Sequence, residues 1–173
     1  MRALPVLALL LAAAACVPQP VAPPPVAPAP VMRPAAPPPV AATTNDWRDW
    51  PLTPGTWTYR RDDRGSIALF GPAGGDARLT LRCDLTRRQV FLSLAGSQTA
   101  PLTIRTSSTT RNVPVQPTGG TPAYTAAALA PNDGLLDAMG FSRGRFVIEQ
   151  AGTPTLVIPA WAEIERVTED CRG

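Results

Sequence analysis

The chain has no histidine and no lysine; all sixteen of its basic residues are arginine. Without histidine there can be no Ser-His-Asp or Cys-His nucleophile arrangement and no zinc site built on imidazole. Without lysine, no glycine-rich phosphate loop can end in the lysine it needs, and no GxSxG stretch is present either. Cysteines number three, at Cys16, Cys83 and Cys171, and no CxxC pair occurs among them. Long apolar runs are also missing. The longest, Ala3 to Ala15, is thirteen residues interrupted by Pro5, short of the roughly 20 that a membrane-crossing helix requires. These absences leave a chain with no residue set for a metal or a cofactor, and they argue against an enzyme.

What the start does carry is Met1-Arg2, the short apolar run and the small residues Ala13-Ala14-Ala15 immediately before Cys16. A basic start, an apolar core and small residues at its end read as a secretory signal over residues 1–15. "LLAAAAC" resembles the lipobox of bacterial lipoproteins, with Ala13 where leucine is commonest. That resemblance implies a diacylglyceryl thioether on Cys16, cleavage before it and a lipid anchor in the cell envelope. Two or three chains on one residue hold a protein far longer than one, because each buried CH₂ contributes about 0.8 kcal/mol. In the enterobacterial sorting rule an aspartate after the cysteine retains the protein in the inner membrane. Here Val17 follows, which implies the outer membrane, facing the periplasm.

From Val17 to Thr44 the chain is almost wholly Pro, Ala and Val, with Arg33 its one charge. Proline fixes φ, removes amide donors and pushes the preceding residue toward extended conformations. The segment is therefore expected to be a semi-rigid, polyproline-II-like stalk. Its 28 residues reach at most roughly 85 Å at ~3.1 Å each.

The remaining residues, 45–173, have the size of one domain. Their 14 arginines face 13 acids, a balance that argues against nucleic acid as a partner. Alternation of apolar and polar residues, the strand signal, recurs in this part. Leu79, Leu81 and Cys83 share one face, with Arg78, Thr80 and Arg82 on the other. Val90 aligns with Leu92 and Leu94, Leu102 with Ile104, Trp57 with Tyr59, and Ile67 with Leu69. Turn residues at Asp63-Arg64-Gly65, Gly71 to Asp76, Thr86-Arg87 and Gly96 to Gln98 separate these runs. Five strands in meander order are expected from Thr56 to Ser107. Beyond them, Pro114 and Pro117 confine any strand to a sheet edge.

"NDGLLDAMGF" reads as a short helix capped by Asn132 or Asp133, with Leu135, Leu136 and Met139 inward. "GRFVIEQAGTPTLVIP" reads as a hairpin with Phe146 and Ile148 opposite Leu156 and Ile158. A closing helix follows, opened by Pro159. Trp161, Ile164, Val167 or Thr168, and Cys171 fall on one face of it at steps of three and four. The expected fold is mainly β, an antiparallel β-sandwich-like domain with a short helix and a packed C-terminal helix. With Cys16 lipidated, Cys83 and Cys171 remain as an even pair on two inward faces, and a disulfide between them is expected.

An early strand "LTLRC", a run of strands, a short helix, a hairpin and a closing helix "AEIERVTEDC" resemble two extracytoplasmic families. These are the accessory β-sandwich proteins of type VI secretion and the invasion-associated locus B family. The resemblance implies a β-sandwich, and no functional residue carries over from it.

Trp47, Trp50 and Trp57 stand close together in "NDWRDWPLTPGTWTY". Such aromatics either form a glycan- or peptidoglycan-binding surface or pin the start of the domain to its core. Asp62-Asp63 is an adjacent acid pair of the kind a glycosidase uses, but beside Arg64 and Gly65 it marks a solvated turn. Two functions follow. One is a non-catalytic envelope lipoprotein that binds a protein partner or supports an envelope assembly; the other is a glycan binder working through the three tryptophans.

Overall fold

The structure is a computed structural model, and it describes residues 46–173. The signal segment, Cys16 and the proline-rich stretch lie outside the described residues. Four strands come first, β1 (Thr56–Asp62), β2 (Gly65–Gly71), β3 (Leu79–Asp84) and β4 (Gln89–Ala95), joined by two short turns and a longer β2–β3 loop into an antiparallel meander. The chain then crosses over. β5 (Leu102–Arg105) and β6 (Thr110–Val113) open a second sheet, and β7 (Gln116–Pro117) and β8 (Tyr124–Leu129) return to the first. After α1 (Gly134–Gly140), β9 (Arg145–Glu149) and β10 (Leu156–Pro159) complete the second sheet, and α2 (Ala162–Arg172) closes the described chain. The larger sheet has the order β1-β2-β3-β4-β8-β7 and the smaller β10-β9-β5-β6.

The expected five-strand meander therefore ends at four. Leu102 and Ile104 do alternate as expected, and both are fully buried, but they cover the meander from above instead of extending it. The place beside β4 goes to β8, in the register Val90↔Leu129, Leu92↔Ala127 and Leu94↔Thr125. Both strands next to the prolines, β6 and β7, lie at sheet edges as expected, where a missing amide costs no ladder bond.

The period of two decides which residues meet in the core. Trp57 lies opposite Phe70, Phe70 opposite Leu79, and Leu79 opposite Leu94, and all four are buried. On β2 the core face is thus Ser66, Ala68 and Phe70, while Ile67 and Leu69 share the outer face. The hairpin pairs Leu156 with Ile148 and Ile158 with Phe146, as expected. Asp133 caps α1 by accepting from the Leu135 amide at 2.9 Å, and Leu135, Leu136 and Met139 are buried.

On α2, Ile164, Val167, Thr168 and Cys171 are buried. The expected inward face holds for these four, but not for Trp161, which is 46% exposed. The helix begins at Ala162, three residues after the expected first position at Pro159, so Trp161 is its extended N-cap residue and lies off the helical face. Pro159 does not open the helix either. It ends β10, an edge strand.

α2 packs on the inner face of the larger sheet, chiefly on β2 and β3, beside the smaller sheet. The Cys83–Cys171 disulfide joins its last turn to β3, with the two Cα atoms 5.3 Å apart. At the same end, the Tyr59 hydroxyl donates to Asp170 at 2.5 Å, Arg61 pairs with the other carboxylate oxygen, and the Arg166 guanidinium lies 3.8 Å from the Tyr59 ring centre. Covalent, ionic and cation–π contacts thus tie one helix end to β1 and β3.

Candidate functional site

The inner face of the larger sheet is covered by the smaller sheet and α2. Its outer face forms an open groove of about 1010 Å³, lined by residues of β2, β3, β4, β7 and β8 and by the segments beside them. The register explains its shape. Leu69, Thr80, Ser93, Ala126 and Gln116 form one row across five strands, and Arg82, Phe91 and Ala128 form the next. Small side chains on β3, β4 and β8 lower the floor. One wall is the loop at Gly75, Asp76 and Ala77, held to β8 because the Tyr124 hydroxyl donates to the Ala77 carbonyl. The other end is bounded by Arg64 and Arg87, the latter with its guanidinium 5.7 Å from the Phe91 ring centre.

Charges around the groove are mostly satisfied internally. Arg82 donates to both oxygens of Asp62, at 2.9 and 2.8 Å. These bonds, more than any other cause, hold the Asp62 carboxyl down to about 2. Arg64 donates to Asp84 at 2.6 Å, and the Arg87 amide donates to its other oxygen. Both lower the Asp84 carboxyl below the usual range. Tyr124 is pushed up, first by burial and then by the charge of Asp76. Carboxylates so firmly ionised cannot donate a proton near neutral pH, so neither Asp62 nor Asp84 suits general acid work.

The same pairs set the acid limit of the fold. A carboxyl whose folded value lies below its unfolded value of about 3.9 stabilises the fold above that pH, and its contribution is lost as pH falls through the folded value. Asp62, Asp84 and, through hydrogen bonds from Arg111, Asp133 are all lowered. Glu165 is raised by burial and by Asp137, so its protonation works the other way. Asp46 and Asp170 are lowered as well, and five against one predicts a melting temperature that falls between pH of about 4 and 2. Asp62→Asn should flatten that slope in thermal unfolding series, and an identical slope in the variant would count against this account.

The structure does not bring the three tryptophans into one surface. Trp57 is 5% exposed; its ring lies 5.4 Å from Phe70, and its Nε1 donates to the Pro159 carbonyl at 2.9 Å. Trp47 is 8% exposed and packs on Val147 and Val157, outside the smaller sheet, with Trp50 beside it. A stacking platform needs open ring faces, and two of these three are covered. Asp62 and Asp63 do occupy the β1–β2 turn. Cys16 lies outside the described residues.

Sequence reasoning missed the groove. Its floor consists of the residues left over once the core alternation has been read, and two of them, Ala126 and Ala128, come from β8, whose alanines carry no strand signal. Compared with known proteins, the chain matches no family model, no curated protein and no solved structure.

Proposed function

We propose that this protein is a bacterial envelope lipoprotein, anchored through Cys16, which binds a protein partner non-catalytically on the outer face of its larger sheet. The observation that carries the reading is the groove of about 1010 Å³ on that face, which no other element among the described residues covers. A sheet buried on one side normally turns polar, long side chains outward. Here the outward positions of inner strands include Ser93, Ala126 and Ala128, which leave room for a second molecule. The anchor, the stalk of residues 17–44 and the periplasm-facing location at the outer membrane are supported by "LLAAAAC", Val17 and the proline-rich composition. The likeness to accessory proteins of type VI secretion fits a supporting role in an envelope assembly.

Two measurements test the reading. Cys16→Ser should move the protein from the membrane fraction to the soluble fraction and abolish the lipid mass shift; unchanged fractionation would remove the anchor. A photocrosslinking residue at Ser93 should give a discrete adduct in intact cells, while one at Asn112 on the smaller sheet should give none. Equal crosslinking from both positions would remove the docking face.

A further inference from the structure

We infer that the groove takes an extended peptide segment of the partner, about six residues long, with a carboxylate at its Arg87 end and a cation at its Asp76 end; this rests on the docking reading above.

Length and direction come from β3. Asp76 precedes this strand and Arg87 follows it, so the two charges stand at opposite ends of the groove they both line. Six residues of β3 span roughly 20 Å at about 3.3 Å each, and an extended ligand of similar length covers the same distance. Width comes from the floor. Thr80, Ser93 and Ala126 lie side by side across three strands. Alanine is a poor strand former, yet Ala126 and Ala128 stand on the outer face of β8. Their effect there is to let another main chain approach the sheet. The groove is also at the upper end of small-molecule sites, which run from about 300 to 1,000 Å³ and enclose most of their ligand. Lying open across a sheet, it suits a chain that passes through.

The polarity comes from the two charged residues of the groove that stand outside its ion pairs, Arg87 and Asp76. Arg64 and Arg82 are engaged by Asp84 and Asp62. Among the described residues the Arg87 guanidinium makes no ion pair; it rests near Phe91 and is exposed. Asp76 is likewise exposed and makes no ion pair among the described residues. A guanidinium backed by an aromatic ring is preorganised for a carboxylate. Opposite charges at the two ends also give a bound chain one favoured direction.

The test uses the full-length lipoprotein in lipid nanodiscs and three fluorescein-labelled octapeptides of Ala and Thr. One has Glu at one end and Arg at the other, the second has Arg at both ends, and the third has neither. Anisotropy titrations should show the Glu/Arg peptide binding most tightly. Arg87→Glu should weaken that peptide roughly tenfold and favour the Arg/Arg peptide. Ala126→Trp, which fills the floor, should weaken all three. Circular dichroism melts confirm that each variant is folded. The inference is overturned if the wild type binds the neutral peptide equally well, if Arg87→Glu changes no preference, or if nothing binds by about 1 mM. Should the peptides fail while Ser93 still crosslinks discretely in cells, this inference falls and the docking face stands. Should both fail, both readings fall.

Discussion

Cys171→Ala is expected to lower the melting temperature of the oxidised protein by roughly 10 °C or more. The bond joins residues 88 apart in sequence, and closing so long a loop removes about 4 to 5 kcal/mol of chain entropy from the unfolded state in the simplest model. Native bridges usually contribute about 2 to 4 kcal/mol, and in a domain of this size each kcal/mol moves the midpoint by a few degrees. Cys171 is the better site for the change than Cys83, because Cys83 is fully buried in β3 and its removal also opens a void in the core. α2 should stay docked in the variant, since Ile164 and Val167 remain buried beneath it. The control is reduction of the wild type, which should reproduce the loss. A reduced wild type that melts with the oxidised one would show that the bridge adds nothing.

Trp57→Ala should be at least as damaging. The ring fills the space between β1 and the smaller sheet, and truncating a buried tryptophan costs about 3 to 5 kcal/mol. The indole also supplies the hydrogen bond to the Pro159 carbonyl, across 102 residues of chain. Pro159 sits on the edge strand of the smaller sheet and Trp57 on the edge strand of the larger, so this one bond closes that side of the sandwich. Trp57→Phe separates the two contributions. It keeps an aromatic ring against Phe70 but removes one of the two hydrogen bonds the Pro159 carbonyl accepts, the other coming from the Trp161 amide at 3.1 Å, and should cost about 0.5 to 1.5 kcal/mol. Urea titrations of the three proteins should rank wild type, Trp57→Phe and Trp57→Ala in falling midpoint. Indistinguishable midpoints would mean the ring is not part of the core.

The parts of the fold that could be read in advance are those where one local signal decides. Asp133 before an apolar stretch announces a helix start, and Phe146 with Ile148 facing Leu156 with Ile158 needs only the period of two. Cys83 and Cys171 each sit on a recognisable apolar face, which is why their pairing was legible. β8 was not legible, because in "YTAAALA" small residues face both ways and its place in the sheet is settled by its pairing with β4 and β7. The exit of β5 to the second sheet was hidden for a similar reason. Leu102 and Ile104 alternate identically whether they extend one sheet or cover it, and the choice is tertiary. Trp161 misled because its spacing from Ile164 fits a helix that begins one residue after it. Of the candidate site, the sequence carried Arg82 and Thr80 as the face opposite Leu81. The depth of the groove depends on Ser93 and Ala126 becoming neighbours, and only the sheet order makes them so.

The segment that precedes β1 determines how the domain would bear a pull from its N-terminal side. Trp47 is seated on Val147 and Val157. The Thr53 amide donates to the Val157 carbonyl, and the Val157 amide donates to the Thr53 hydroxyl, both at 2.9 Å. Arg145 reaches back to the Trp50 carbonyl. Tension arriving at residue 46 therefore enters β9 and β10 before it reaches β1. Without this clamp the load would fall on the Thr56 end of an edge strand, whose ladder to β2 would open one rung at a time. With it, several contacts must give way together. β9 and β10 lie within the span from Cys83 to Cys171, so the load enters a part of the chain whose ends the disulfide joins, and that part would stay closed while the leading segment yielded.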